Sequence, residues 1–494
     1  MEVGFNNQIY MEKQAEHIKK RIERFGNKLY LEFGGKLFDD YHAARVFPGF
    51  DVNAKVKLLQ HFKDQAEIVF CINAADIESN KIRADFGITY DRDLLRTIDN
   101  LRALDLYISS VVITRYAGQA SSDAFRTLLE NRGIKTYVHR SIKGYPTDVD
   151  VIVSENGYGA NAYIETTRPL VVITAPGPCS GKLATCLSQL YHENKRGIKA
   201  GYAKFETFPV WNIPLKHPVN LAYEAATADL KDVNLIDPFH LEAYGETTVN
   251  YNRDIEVFPI VRTILTKITG DSNLYRSPTD MGVNMIAYGI TDDEVVRNAA
   301  KQEIIRRWFK AKCDFRSGRC SQDTVNRIEM LMKELDLSPS DRTPVRPALE
   351  KADYHGVPVM AIELPNGKCV TGKSADLMSA AACAVINSIK VLAGIDDKIH
   401  LLSLVVLEPI LKLKEQKLGI KNPTLNLREI LITLSICAAT NPIAELALSK
   451  LDELRGCEAH CSNILSRGDE ETLHQLGINA TSEDEFPSTN LYMN

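Results

Sequence analysis

The stretch Leu170-Val-Val-Ile-Thr-Ala-Pro-Gly177-Pro-Cys179-Ser180-Gly181-Lys182-Leu183-Ala-Thr185-Cys186 decides how the rest of the chain is read. An unbroken apolar run is followed by a Gly/Pro loop with a lysine, then by a helical pattern continuing through Gln189 and Tyr191. Strands apolar at every position are buried on both faces, which is the habit of parallel sheets covered by helices. Upstream, further strand candidates are Lys28–Phe33, Glu67–Ile72, Ser109–Arg115, Lys135–His139 and Val149–Ser154. Helix-like runs alternate with them at 52–65, 91–106 and 121–132, and an amphipathic helix occupies residues 1–25, with Ile9, Ile18, Ile22 and Phe25 roughly on one face. The pattern predicts an α/β domain with a mostly parallel sheet over residues 1–269.

Beyond Gly270 the texture changes. A turn-rich Ser277-Pro-Thr-Asp-Met-Gly282 precedes helical stretches at 292–315 and 321–335, read as a helical bridge over 270–346. Residues 347–494 read as an α+β domain: a strand at 358–364, a Pro365-Asn366-Gly367 turn, a return strand at 368–371 and a long helix from about Ser374. A strand at 400–407, helices at 427–439 and 442–454, and a polar, loosely ordered tail from Asn479 complete it.

Strand, glycine loop and helix start together make an anion site for a physical reason. The first N–H groups of a helix are unpaired, the helix dipole adds positive charge, and glycines let the backbone approach a phosphate. Gly177, Ser180, Gly181 and Lys182 are therefore the candidate cradle. The spelling departs from the Walker A pattern: three residues rather than four separate the glycines, and Leu183 stands where Ser or Thr would hold magnesium. Thr185 is the nearest substitute hydroxyl. The loop is compatible with a nucleotide, with or without magnesium, and identifies none. A thiol at a helix start beside a lysine should be nucleophilic, which makes Cys179 a catalytic candidate. A tight strand-to-helix turn with an exposed lysine is the plainer alternative. A second loop, Gly367-Lys-Cys-Val-Thr-Gly372-Lys373-Ser374, matches Walker A in full, but its first glycine belongs to the hairpin turn and its middle to the return strand.

Other polar groups fall where strand ends are expected. Glu32, Gly34, Gly35 and Lys36, with Arg45 close behind, are candidate substrate contacts after the first strand. Asn80, Lys81, Arg83 and Asp85 occupy another post-strand loop, and Glu155–Gly159 would flank the Gly177 loop if 149–154 were a parallel strand. Asp237 and His240 offer a carboxylate beside an imidazole, the minimum for general acid–base work. Asp280, with Arg276, Thr279 and Asn284, stands where the helical segment begins.

Composition excludes whole classes. The 494 residues are 45% hydrophobic and 25% charged, with net charge −5, so nothing favours nucleic acid or an anionic membrane as partner. The apolar stretches at 377–395 and 401–413 are interrupted or too short to span a bilayer, and no secretory signal is legible at the start. Ten scattered cysteines without a CxxC pair fit a reducing, cytoplasmic setting, and Cys457-Glu-Ala-His460-Cys461 has no second ligand cluster, so no metal site is expected. HExxH, HxxEH and GxSxG are absent; His192-Glu193 continues Asn-Lys-Arg.

The strings Leu31-Glu-Phe-Gly-Gly-Lys-Leu-Phe-Asp-Asp, Thr174-Ala-Pro-Gly-Pro-Cys-Ser-Gly-Lys, Ile236-Asp-Pro-Phe-His-Leu-Glu-Ala-Tyr-Gly and Ser277-Pro-Thr-Asp-Met-Gly-Val-Asn resemble an uncharacterised bacterial family of about this length that carries a domain of unknown function. The resemblance covers essentially the whole chain. It implies a Rossmann-like N-terminal region, a helical portion and a C-terminal domain of cytidine-deaminase-like topology. Some members are labelled "ATP-dependent protease", which the missing protease motifs do not support. Deaminase chemistry does not carry over, because its zinc signature is missing from 346–494. The reading that follows is a protein acting on, or using, a phosphorylated small molecule or nucleotide at the 177–182 loop. A non-catalytic metabolite-binding or assembly protein, homo-oligomeric through its apolar C-terminal helices, is the rival.

Overall fold

A computed structural model describes residues 2–83, 87–205, 209–420 and 423–488. The described residues fall into two compact units, one of residues 2–224 and 232–300, the other of 225–231 and 301–494. The segment 270–346 is thus shared between them.

The first unit is built on seven strands: β1 (Leu29–Phe33), β2 (Ala66–Asn73), β3 (Ile108–Thr114), β4 (Lys135–Val138), β5 (Leu170–Thr174), β6 (Gly201–Phe205) and β7 (Gly282–Val283). Their order is β7-β6-β1-β5-β2-β3-β4, and every pairing is parallel. All eight residues of β2 and all five of β5 are buried, as strands covered on both faces must be. The covering helices include α1 (Asn7–Arg24), α2 (Ala54–His61), α3 (Tyr90–Arg102), α4 (Ala120–Asn131), α5 (Lys182–Lys195) and α6 (Asn252–Thr269). One core unites strand residues such as Val69 and Val172 with Ile22, Leu59, Leu94, Leu187 and Val261 from these helices. In α1 the buried side is Tyr10, Gln14, Ala15, Ile18 and Ile22, whereas Ile9 is exposed.

The strand order contains a reversal. The chain leaves β1 toward β2, β3 and β4, then returns to insert β5 between β1 and β2. From β5 it crosses β1 in the other direction, to β6 and β7. Right-handed crossovers send the two series of helices to opposite faces. The carboxyl ends of β1 and β5 therefore border a topological switch point, where open α/β sheets hold ligands.

Two strands differ from the sequence expectation. Residues 149–152 form a helical turn capped by Asp148, whose side chain accepts from Val151 N–H, so the expected strand at 149–154 is absent. β6 was not evident because Gly201 and Lys204 interrupt its apolar character. Gly201 is required there, since a Cβ would stand 2.1 Å from the Phe25 ring.

The second unit holds a mixed sheet of β8 (Val359–Glu363), β9 (Cys369–Lys373), β10 (Glu458–Cys461) and β11 (Asn479–Ser482), in the order β9-β8-β10-β11. Only β10 and β11 are parallel. Its helices include α7 (Asp293–Arg316), which begins in the first unit, then α8 (Gln322–Glu334), α9 (Ala380–Leu392), α10 (Leu404–Lys412), α11 (Leu427–Ala438) and α12 (Pro442–Leu448). The residues 400–407 expected as a strand lead into α10, since a short apolar run does not distinguish strand from helix by periodicity. The expected loose tail is corrected likewise: Asn479–Ser482 is a strand paired with β10, a long-range partner invisible in a polar sequence.

The Walker-like spelling at 367–374 resolves into packing. Gly367 closes the hairpin, β9 runs to Lys373, and α9 begins at Ala380 under a Ser379 cap, not at Ser374. A Cβ on Gly372 would stand 2.1 Å from the backbone nitrogen of Ala384, so this glycine lets α9 lie against the strand. On β10 the pleat sends His460 to the face opposite Cys461. His460 meets Thr481 and the Phe309 ring, while Cys461 enters the apolar core.

Candidate functional site

β5 ends at Thr174 and α5 starts at Lys182, so loop 175–181 stands at the carboxyl edge of the sheet, beside the segment that follows β1. Gly177 lies against Tyr90, and a Cβ there would come within 2.5 Å of the ring. Gly181 has φ +85° and would place a Cβ 3.0 Å from Thr114. Cys179 also adopts a left-handed conformation, φ 57°, and is exposed. Ser180 is buried: its hydroxyl donates to the Gly177 carbonyl at 2.5 Å, and its carbonyl accepts from Thr114 Oγ1 at 2.8 Å. Ser180 therefore shapes the loop with its hydroxyl. No side chain among the described residues caps α5, so its first-turn amides face the crevice with Lys182 at their head. Thr185 lies elsewhere. It is fully buried, and Cys71 Sγ donates to its hydroxyl at 3.4 Å, which turns it toward the sheet and away from the loop.

Glu32 occupies the last turn of the pleat in β1, opposite Lys204 of β6. Tyr202 Oη donates to Glu32 Oε2 at 2.7 Å, and Lys204 Nζ donates to Asp254 Oδ1 at 2.6 Å. Burial pulls the Lys204 ammonium down, yet Asp254 and Glu32 together hold it above the ordinary lysine range. Burial, then the Glu32 charge, pushes the Tyr202 phenol well up. Burial raises the Cys71 thiol to about 12 and Cys186 well above its usual value, so both remain neutral beneath the loop. Titratable groups with displaced pKa values collected at a strand end are a recurrent mark of functional sites.

On the other side of the loop lies a small pocket lined by Gly35, Lys36, Leu37, Phe38, Phe70, Arg83, Asp93, Arg96, Thr97, Ala175 and Pro176. The structure thus joins three separate sequence signals: the glycines after β1, Arg83 of the post-β2 segment, and the loop after β5. Gly35 is left-handed at φ +68°, and Lys55 Nζ comes within 3.3 Å of where its Cβ would be; Lys55 in turn pairs with Asp40 at 3.0 Å. Gly34 has open space around it, and Arg45 is half-buried on the short helix Tyr41–Val46 of the same connection. Asp85 lies outside the described residues. Tyr90, Asp93, Arg96 and Thr114 were missed by sequence reasoning. They stand on α3 and β3 far from the loop in sequence, and only the i, i+3 spacing of Asp93 and Arg96 hinted at a pair.

Asp237, His240, Asp280 and Glu155 are not brought to the crevice. Asp237 is fully buried and caps the helix Pro238–Tyr244, accepting from Phe239 and His240 N–H with one oxygen and from Asn250 and Thr279 with the other. It meets the His240 backbone, not the imidazole, whose Nδ1 lies 2.8 Å from Ser277 Oγ. Asp280 closes a capping box with Ser277 and accepts from Tyr244 Oη. This network precedes β7, three strand positions from β5, or about 14 Å at about 4.8 Å per strand. Glu155 is displaced in another direction: it accepts from Tyr191 and pairs with Lys195, near the far end of α5.

Sheet and site define a doubly wound α/β protein with a glycine-rich loop and an uncapped helix start at the switch point. Residues 3–336 match the N-terminal part of the domain of unknown function DUF1846, and residues 340–492 match its C-terminal part, so the chain belongs to the DUF1846 family. It is 58% identical over 502 residues to a UPF0371 protein of Clostridium botulinum strain Alaska E43, and 57% identical over 500 residues to a UPF0371 protein of Clostridioides difficile strain 630. A Clostridium tetani UPF0371 protein is 57% identical over 502 residues, and in all three comparisons both chains are covered completely. Neither family description names a reaction, so the functional reading rests on the site. No described helix is long and apolar enough to cross a membrane.

Proposed function

We propose that this protein is an enzyme acting on, or using, a phosphorylated small molecule or nucleotide bound between the carboxyl ends of β1 and β5. The observation that carries the reading is the switch point itself: both glycine segments open onto it, and the uncapped start of α5 faces it with Lys182. The first amides of α5 and the Lys182 ammonium hold the phosphate. Glu32, kept in place by Tyr202, supplies the carboxylate for proton transfer or for orienting a substrate hydroxyl. The spending of Asp237 and His240 on helix capping and Ser277 favours, as second reading, a protein that binds such a ligand without turnover.

Thermal shift on wild type and Lys182→Ala tests the site. The panel holds nucleotides, dinucleotides, sugar phosphates and orthophosphate, each with and without magnesium. A ligand at a hundred times its Kd stabilises the native state by about 2.7 kcal/mol. The expected result is a selective shift in wild type that Lys182→Ala removes; equal shifts in both proteins would refute the assignment. NMR of the bound ligand after prolonged incubation separates turnover from binding alone.

A further inference from the structure

We propose that the outer side of α10, α11 and α12 is the interface between two copies of this chain. All three helices belong to the second unit, so the interface is independent of the anion loop.

α11 has almost no polar side. A helix on a monomer's surface turns a polar stripe to water, whereas one that is apolar all round is buried. Toward its own core α11 presents Leu427, Ile430, Leu434 and Cys437. Its outward stripe runs Arg428, Ile432, Ser435, Ile436 and Ala439, with no charge beyond the first turn. The two charged residues of that turn already have partners: Arg428 pairs with Glu471 at 3.4 Å, and Glu429 with Lys414 at 2.8 Å.

The neighbouring helices widen the stripe into a face. Ser403 N–H donates to Cys437 Sγ at 3.4 Å and Lys414 Nζ to Glu429 Oε2 at 2.8 Å, so α10 runs antiparallel along α11. α12 follows α11 after a short turn and joins the same core through Ala444 and Ala447. Away from that core, α10 exposes Leu404 and Val405, and α12 exposes Ile443 and Leu446; with Ile432 and Ile436 these residues are 39–82% exposed. Leu413 and Leu418, just beyond α10, are exposed as well. Eight aliphatic side chains at about half exposure amount to roughly 800 Å², the share each partner gives to a standard interface. The largest apolar patch of a typical monomer is only about 300–600 Å².

Charge selects a second copy over other partners. The rim holds both signs, Glu408 beside Lys412 and Arg428 beside Glu471, so it steers neither a polyanion nor a basic peptide onto the face. An apolar face with a neutral rim complements itself. Two such faces close around a two-fold axis, the commonest symmetry of soluble oligomers.

Sedimentation velocity and light scattering of the full chain over micromolar concentrations test this. Wild type should appear at twice the 55.2 kDa of one chain. Ile432→Lys combined with Ile436→Lys should weaken the dimer about a hundredfold or more, giving monomer where wild type is dimeric. Charges at exposed helical positions leave the fold of the single chain intact, which an unchanged circular dichroism spectrum checks. Val405→Lys, on a different helix of the face, should weaken the dimer as well, so that misfolding of the double variant would not leave the question open. Met330→Lys, at an exposed position of α8 outside the face, should keep the dimer. A monomeric wild type overturns the interface and reassigns the face to a partner of different composition. Folded variants of the face that stay dimeric overturn it too, as does a Met330→Lys protein that dissociates equally. A larger wild-type assembly supports it if the face variants split that assembly, and overturns it if they do not.

Discussion

Gly177→Ala is expected to destabilise the first unit through one identifiable collision. The new Cβ would stand 2.5 Å from Tyr90 Cε2 and 2.6 Å from its Cζ and Oη. Ordinary contact begins near 3.4 Å, so ring and loop must part by about 1 Å. Tyr90 is only 8% exposed, opens α3, and has Lys81 Nζ 5.1 Å from its ring centre, so it has little freedom to give way. Overpacking of this kind costs about 1–3 kcal/mol. Replacing a glycine whose φ is not left-handed returns about 0.4–1 kcal/mol by restricting the unfolded chain. The net expectation is a loss of about 1–2 kcal/mol. Urea denaturation measures it, with Trp308→Phe in the background so that Trp211, in the first unit, is the fluorescent reporter. In a Tyr90→Ala background the collision partner is gone, and Gly177→Ala should cost nothing or stabilise slightly. Penalties that add across the two positions to within about 0.5 kcal/mol would refute the collision as the reason for this glycine.

The remaining predictions concern acid stability and the second glycine loop. Burial holds His139 at about 4, well below an ordinary imidazole at about 6.5. The unfolded chain therefore binds the proton first, and stability present above pH 6.5 is lost as pH falls toward 4, by about 2 kcal/mol between pH 7.5 and 5. Urea midpoints across that range, compared with His139→Gln, should show the slope flatten in the variant; parallel profiles would discard His139 as the source. Gly372→Ala puts a Cβ 2.1 Å from the Ala384 backbone and should destabilise the second unit by about 3 kcal/mol or more. Ser374→Ala should change its stability by less than about 0.5 kcal/mol, and a phosphate-dependent thermal shift lost in that variant would contradict the packing account.

Legibility in the sequence tracked how local each cause was. β2 and β5 are legible because burial on both faces demands apolar residues at every position, and the loop after β5 because glycine, lysine and a helix start are neighbours in the chain. The hairpin at Pro365–Gly367 is legible from its turn residues in the same way. Elements whose stability comes from distant partners were misread or missed. β11 is polar and is a strand because β10 lies beside it, and β6 contains a lysine neutralised by Asp254, fifty residues later.

The site divides along the same line. The amino-acid sequence by itself determined that a parallel α/β sheet carries a glycine- and lysine-bearing loop between one strand and the following helix, because strand burial, loop flexibility and a helix start are all properties of contiguous residues. Tertiary structure alone decided what faces that loop. It inserted β5 between β1 and β2, which created the switch point. It turned Thr185 toward Cys71, moved Asp237, His240 and Asp280 to the far edge, and brought Arg83, Asp93 and Arg96 to the crevice. The physical reason is that strand order and side-chain convergence depend on which distant segments share one core, and this information is spread over nearly the whole length of the unit.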